Sequence, residues 1–244
     1  MRYTFACLLL IGLLVIPVIV PNQYVLHILI NIFMVSLSVL GVRLILLSGS
    51  ISLGQAGFVA IGAYTSAILV MRVGVPLWVA LPLSGLMSAM IGAAIGWPAL
   101  RLRGLYFIIL TLCIGEAIIH YIGNLENLTG GLDGLYGIPR PSPVKIAGYT
   151  ILDFNSGKAA YYYYGLALLS LCLWVMFRID RSRLGIILNA ISGNDRLAES
   201  MGVPVMRFKV LTFSIACFFS GLAGAFYAHY FVFLQNKKIS ISRI

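Results

Sequence analysis

Long apolar runs, broken by proline, glycine and basic residues, set the pattern of this chain. Seven runs read as membrane-crossing helices: residues 5–20, 24–47, 56–71, 76–96, 104–122, 161–177 and 209–234. Crossing the hydrocarbon core takes about 20 residues, because a helix advances ~1.5 Å per residue through a slab of ~30 Å. Pro21, Asn22 and Gln23 separate the first run from the second, and Gly74 and Pro76 the third from the fourth. Pro98, Arg101 and Arg103 end the fourth. Tyr161, Tyr162, Tyr163 and Tyr164 open the sixth, where an interfacial aromatic belt is expected. The pattern predicts an all-α, polytopic membrane bundle forming a single domain over residues 1–244. Two longer loops, about 123–160 and 178–209, and a polar tail, 235–244, interrupt it.

Composition agrees and narrows the class. The chain is 61% hydrophobic and 10% charged, with a mean hydropathy of +1.00. A soluble domain is nearer half apolar and a quarter charged, so a water-soluble globule is excluded. Residues 1–20 have the basic start and apolar middle of a signal peptide. No small-x-small cleavage site follows; Pro17 and Pro21 stand there instead, so a retained first helix is expected. Cys7, Cys113, Cys172 and Cys217 each lie inside an apolar run and none forms a CxxC pair, so they read as small packing residues.

Charge gives orientation. There are 17 Lys and Arg against 7 Asp and Glu, a formal net charge of +10. The 123–160 loop is balanced: Arg140, Lys145 and Lys158 against Glu126, Asp133 and Asp153. The 178–209 loop has Arg178, Arg181, Arg183, Arg196, Arg207 and Lys209 against Asp180, Asp195 and Glu199, so it is assigned to the cytoplasm. With the N-terminus inside and a crossing at every run, Arg2, Arg43, Arg101, Arg103 and that loop all fall inside. A re-entrant 56–71 segment would strand the Arg101/Arg103 pair outside and is disfavoured. The tail breaks the pattern, because Lys237, Lys238 and Arg243 fall outside. The excess charge thus reads as topology and not as a nucleic-acid surface.

Small residues suggest helix contacts at Gly92-x-x-x-Gly96 and Gly221-x-x-x-Ala225, although a chain with 25 glycines produces such pairs by chance. Four features could carry function. Residues 47–57 place Ser48, Gly49, Ser50, Ser52 and Gly54 between two apolar runs, with Gln55 opening the second. This is either a plain cytoplasmic turn or a broken helix whose N-terminal N–H groups point into a cavity, as transporters hold a substrate carboxylate. Glu116 lies 12 residues after Gly104, about 18 Å along its helix, with His120 one turn further on the same face. An ionisable group at that depth faces a cavity or a partner, or else pairs structurally with His120. Residues 128–139 hold Gly130, Gly131, Gly134 and Gly137 without the lysine or strand context of a phosphate loop, and read as an external cap or docking surface. Residues 185–204 hold a short helix, with Asn194 or Asp195 as its N-cap, Gly202 as its stop, and Leu197, Met201 and Ala198 on an apolar face. Such a helix either docks into a soluble partner or lies on headgroups.

In this order, the stretches SGSISLGQAGFVAIGAY (48–64), PALRLRGLYFIILTLCIGE (98–116), LTGGLDGLYGIP (128–139) and residues 183–209 resemble the branched-chain amino-acid ABC transporter permease family, specifically its M-type subunit. The resemblance covers about residues 25–232. It implies a multi-pass subunit of a bacterial inner membrane that does no bond chemistry and holds no cofactor or metal. It also implies pairing with a second permease, two cytoplasmic ATPases below and a periplasmic substrate-binding protein above. Ser50, Ser52, Gly54, Gln55 and Glu116 are then candidates for the substrate pathway. Asn194, Asp195, Ala198, Glu199 and Gly202 are candidates for ATPase coupling. Family members continue past the last run with further helices and a glycine-rich stretch, so a truncated or frameshifted C-terminus is expected here. Two other readings stay open: a proton-coupled secondary transporter using Glu116 and His120, and a urea or amide permease of the same family. An intramembrane enzyme would need a convergent acid, base or metal set. His27, His120 and His229 lie on three different runs, with no HExxH.

Overall fold

The computed structural model describes residues 12–14, 17, 22–102, 104–130, 144–146, 149–152 and 158–241. Most of the first apolar run and most of the glycine-rich stretch 128–139 lie outside the described residues. The elements are α1 (Gln23–Leu47), α2 (Gln55–Ile68) with a π turn (Leu69–Val73), α3 (Leu77–Ala99), α4 (Leu105–Asn124) and the short α5 (Glu126–Thr129). An antiparallel strand pair follows, β1 (Val144–Ile146) and β2 (Tyr149–Leu152), then α6 (Lys158–Asp180), α7 (Arg183–Gly193), α8 (Asp195–Ser200) and α9 (Val205–Ile241).

Among the described residues, six helices are long and apolar enough to cross a membrane. They correspond to the second to seventh apolar runs. The third run crosses rather than re-enters: α2 and its π turn form one 19-residue helix, Gln55–Val73. Gly74, at φ +69°, ends it in the left-handed conformation that only glycine adopts at little cost. At the start of α1, the Asn22 side chain accepts from the Tyr24 N–H at 3.0 Å. The bundle is thus an all-α, polytopic membrane fold with one small hairpin.

Helix directions follow from side-chain pairs. Along α1 and α6, Phe33 meets Tyr162 at one end and Arg43 meets Asp180 at the other, so these two run parallel. Gly54 lies against Thr111 and Gly57 against Gly115, so α2 and α4 run parallel. Between α2 and α9, Gln55 pairs with Ser220 and Ser66 with His229, which again is parallel. Gly85 lies against Leu222, Gly92 against Cys217 and Gly96 against Phe213, so α3 is antiparallel to α9. This alternation gathers Arg43, Arg101, Arg178, Arg181, Arg183, Arg196 and Arg207 at one end of the bundle, which the positive-inside rule assigns to the cytoplasm.

The centre of the bundle is α9. In its span Val205–Phe231, 67% of the most apolar window is buried, against 17% for α4. Hydrocarbon tails are as apolar as leucine, so helix association in lipid depends on close packing and interhelical hydrogen bonds. Both glycine motifs serve this packing. A methyl at Gly92 would stand 2.5 Å from Cys217 Sγ, and one at Gly221 would stand 2.6 Å from Ser88 Cβ. Gly62 meets Gly221 backbone to backbone, and Gly224 meets the Val59 carbonyl. Hydroxyls add to this: Ser88 donates to the Phe58 carbonyl at 3.0 Å and Ser214 to the Ala89 carbonyl at 2.9 Å.

The four tyrosines opening α6, where the interfacial belt is expected, pack mostly against protein. Tyr161, Tyr162 and Tyr164 are buried. Tyr161 stacks edge-on against Tyr230, Tyr162 against Phe33, and Tyr164 against both Trp78 and Phe226. Four consecutive residues sweep a full turn of helix, and α6 lies in the groove between α1 and α9, so most of the turn meets protein. Cys172 and Cys217 are free and buried, as small packing residues, whereas Cys113 is free and exposed.

Candidate functional site

The small-residue break begins at the arginine-rich end. Ser48 closes α1, its hydroxyl donating to the Ile45 carbonyl at 2.7 Å. Gly49 is left-handed, at φ +74°, and lies against the backbone of Ser192 in α7. From there the chain turns back into the bundle. The Leu53 N–H donates to Thr111 Oγ1 at 3.2 Å, and Gly54 is pressed on the Thr111 carbonyl. Thr111 lies six residues into α4, about 9 Å along its axis. So α2 begins inside the bundle and not at its surface. Irregular backbone survives at this depth because neighbouring protein meets its polar groups.

Two buried side chains sit at this break. Gln55 Oε1 accepts from the Ser220 hydroxyl of α9. Among the described residues, Gln55 Nε2 and Ser52 Oγ have no hydrogen-bond partner, although Gln55 is 7% exposed and Ser52 2%. Buried polar atoms are nearly always paired, so these two mark a place where polarity is kept at a cost. Ser50 is half-buried.

Glu116 is elsewhere. Along α4, Phe107, Thr111 and Gly115 form the buried stripe that covers α2, and Gly115 lies 2.9 Å from where a methyl on Gly57 would sit. Glu116 follows Gly115 and turns about 100° away, onto the exposed side. His120 is exposed too, and no hydrogen bond or ion pair joins it to Glu116. The sequence put Ser50, Ser52, Gly54, Gln55 and Glu116 on one path. The structure buries Ser52, Gly54 and Gln55 inside the subunit, leaves Ser50 half-buried at the turn and puts Glu116 on the exposed face of α4.

The 178–209 segment is held by several local contacts. Asn194 is the N-cap of α8: its side-chain oxygen accepts from the N–H groups of Arg196 at 3.0 Å and Leu197 at 3.3 Å. Asp195 pairs with Lys209 at 2.6 Å, tying α8 to the start of α9. Ala198 is buried with Ile191 and Val205. Gly202, at φ +84°, turns the chain so that the Val203 N–H returns to the Ala198 carbonyl at 3.1 Å. Asn194, Asp195, Ala198 and Gly202 thus shape the element. What it presents is Glu199 with two apolar side chains, Leu197 at 63% exposure and Met201 at 78%. The apolar face read from sequence is split: Ala198 points in, while Leu197 and Met201 point out.

Several polar contacts had no sequence signal. Ser66 Oγ lies 2.9 Å from His229 Nε2, and His27 Nδ1 lies 2.6 Å from the Tyr230 hydroxyl. Each joins residues far apart in the chain, so spacing gives no hint of them. Lys209 as the partner of Asp195 was also hidden. Replacing Lys209 by methionine leaves the Asp195 carboxylate without its cation. We expect a loss of about 2 kcal/mol, below the roughly 3–5 kcal/mol of a fully buried pair because Asp195 keeps some water. Thermal unfolding of the purified chain reads the loss, and K209M/D195N should recover most of it. Among the described residues, no group of His, Cys, Asp or Glu could hold a metal ion.

A sequence model of the family described as branched-chain amino acid transport system, permease component, matches residues 24–242. The high-affinity branched-chain amino acid transport system permease protein LivM of Escherichia coli (strain K12) is 35% identical over 198 residues, covering 75% of this chain and 47% of that relative. The protein of the same name from Salmonella typhimurium is 36% identical over the same shares. A probable branched-chain amino acid transport permease protein LivM of Methanocaldococcus jannaschii is 26% identical over 156 residues, covering 63% of this chain and 42% of that relative. The chain spans about half the length of the first two relatives. No solved structure matches.

Proposed function

We propose, from the premise that this chain belongs to the branched-chain amino acid transport system permease family, that it is one of two permease subunits of an ABC importer for branched-chain amino acids. In this reading it is a multi-pass protein of a bacterial inner membrane, paired with a second permease. Two cytoplasmic ATPases supply the energy and a periplasmic binding protein delivers substrate. The subunit performs no bond chemistry.

One observation carries the reading: the exposed Leu197 and Met201 on a helix locked by Asn194 and the Asp195–Lys209 pair, at the arginine-rich end of the bundle. Large apolar side chains held rigidly in water suit the groove of a soluble partner. The break at 48–54 gives that partner a lever, because Gly49 touches Ser192 of α7 and Gly54 sits inside the bundle. A shift of α7 therefore reaches the N-terminus of α2 and Gln55 through seven residues of chain. ATP binding and hydrolysis on the partner would bias two states of the bundle by this route.

The pathway runs, in this reading, along the exposed face of α4, between this subunit and the second permease. Glu116 sits on the least buried span, and a carboxylate at that depth is costly against lipid. Glu116→Ala is expected to lower uptake of leucine, isoleucine or valine by about tenfold, or ~1.4 kcal/mol, in vesicles carrying the whole transporter. Unchanged uptake would reduce Glu116 to a structural role. The class is tested in the same vesicles. Uptake that needs ATP and survives an uncoupler supports the importer; uptake that collapses with the uncoupler at constant ATP refutes it in favour of proton coupling.

A further inference from the structure

The start of α2 leaves hydrogen-bond donors inside the bundle that the proposed function does not use. α2 and its π turn run 19 residues, Gln55–Val73, from an N-cap at Gly54 that has no side chain to offer. The Gly57 N–H closes on the Gly54 carbonyl at 3.2 Å, and the N–H groups before it have no acceptor within the helix. Two side chains flank them. Gln55 is the first residue of the helix, and Ser52 stands three residues before it. Gln55 Nε2 and Ser52 Oγ have no hydrogen-bond partner among the described residues, although their residues are only 7% and 2% exposed. The Ser220 hydroxyl already donates to Gln55 Oε1, so only the NH2 end of that amide is left to match.

We propose that these groups bind the α-carboxylate of the transported amino acid, with Ser52 and Gln55 as its side-chain donors. The set offers a hydroxyl, an amide NH2 and the N–H groups of a helix start. A carboxylate is acceptor-only and has two oxygens to share among them. Its charge suits the positive end of a helix. Glu116 of α4 faces outward, so that acid does not oppose the ligand. The break is also amphipathic. Ile51 and Leu53 alternate with Ser52 along it and are 47% and 55% exposed. That alternation fits a ligand apolar at one end and anionic at the other. The proposal rests on the importer reading only for which amino acid brings the carboxylate.

Both donor atoms are covered in this conformation, so the carboxylate reaches them when the break moves away from α4. The contact of Gly49 with Ser192 lets α7 drive that movement. A ligand that pairs these donors in the opened conformation, and cannot reach them in the closed one, shifts the balance between the two.

The test uses the whole transporter in lipid nanodiscs, without the binding protein, and equilibrium binding of radiolabelled leucine. Wild type should bind leucine. Leucinol keeps the side chain and the amine but lacks the carboxylate, and should not displace it. S52A and Q55M should each weaken binding by about tenfold, the worth of one hydrogen bond to a charged group. Thermal unfolding without leucine separates this from a structural role. A hydroxyl buried without a partner adds nothing to the fold, so S52A should melt no lower than wild type. A clearly lower melting temperature for S52A would give Ser52 a structural partner and overturn the assignment. Displacement by leucinol, or wild-type affinity in S52A and Q55M, overturns it too. So does displacement by acetate as effective as that by unlabelled leucine, which would mark a free-anion site. The two readings fail separately. Undiminished ATP-driven leucine uptake by S52A and Q55M would leave the importer standing and remove the site. Binding of a different amino acid in place of leucine, lost in S52A and Q55M, would keep the site and remove the branched-chain substrate.

Discussion

Replacing Leu197 and Met201 together by aspartate is expected to abolish ATPase coupling while leaving the subunit inserted and folded. Both side chains are mostly in water, so the bundle loses little when they change. A soluble partner that seats them in a groove loses its anchors and gains two buried charges. Anchors of this kind are worth about 2–4 kcal/mol each on truncation, so association should fall by at least about a thousandfold for the pair. Co-purification of the ATPases and substrate-stimulated ATP hydrolysis read the effect directly. Ser200→Asp, at an exposed position on the same short helix, serves as the control. Association and stimulated hydrolysis that survive L197D/M201D would remove α8 from the coupling surface.

Gly224→Ala is expected to be more damaging to folding than any larger change on the lipid face. The methyl would be driven into the Val59 carbonyl of α2 and would lie 2.9 Å from the Ala63 backbone nitrogen. Ordinary overpacking of side chains costs about 1–3 kcal/mol because neighbours shift rotamers. Here the neighbours are backbone, so the helices themselves must separate. Separation would also pull apart the Gln55–Ser220 and Ser66–His229 contacts on the same pair of helices. The expected result is loss of monodisperse protein after extraction and rapid proteolysis in membranes. Gly193→Ala is the matched control, since a methyl there meets nothing within 4 Å and the backbone is not left-handed. A well-folded Gly224→Ala protein would refute the close approach of α2 and α9.

The effects differ in what they test. L197D/M201D separates coupling from folding, whereas Gly224→Ala reports the bundle alone. Glu116→Ala, read by uptake in the intact assembly, falls between them. It tests the face of α4 that is left exposed when the other five described spans are packed.

Much of this was legible before any fold was known. The second to seventh apolar runs became the six spans, and their ends moved by a few residues. The Arg43–Asp180 pair fits the crossing pattern read from charge. The N-cap at Asn194 and the turn at Gly202 were also legible, because a cap depends on residues two or three positions away. The contents of the small-residue break were visible, but not its depth. Only the contact of Gly54 with Thr111 shows that α2 starts within the bundle. The tyrosine run of α6 was visible at the start of its span, but not its packing against protein, because composition at a membrane boundary does not say which neighbour covers it.

The sequence by itself determined what each described segment is: membrane-crossing, capped or connecting. Transfer into lipid and the attraction of basic residues to one side act on each segment whatever its neighbours are. The tertiary structure alone decided which face of each segment meets which other. It turned Gln55 inward to Ser220 and Glu116 outward, split Ala198 from Leu197 and Met201, and set Lys209 on Asp195. Those outcomes depend on where glycine seams let two backbones approach, and that is a property of helix pairs far apart in the chain.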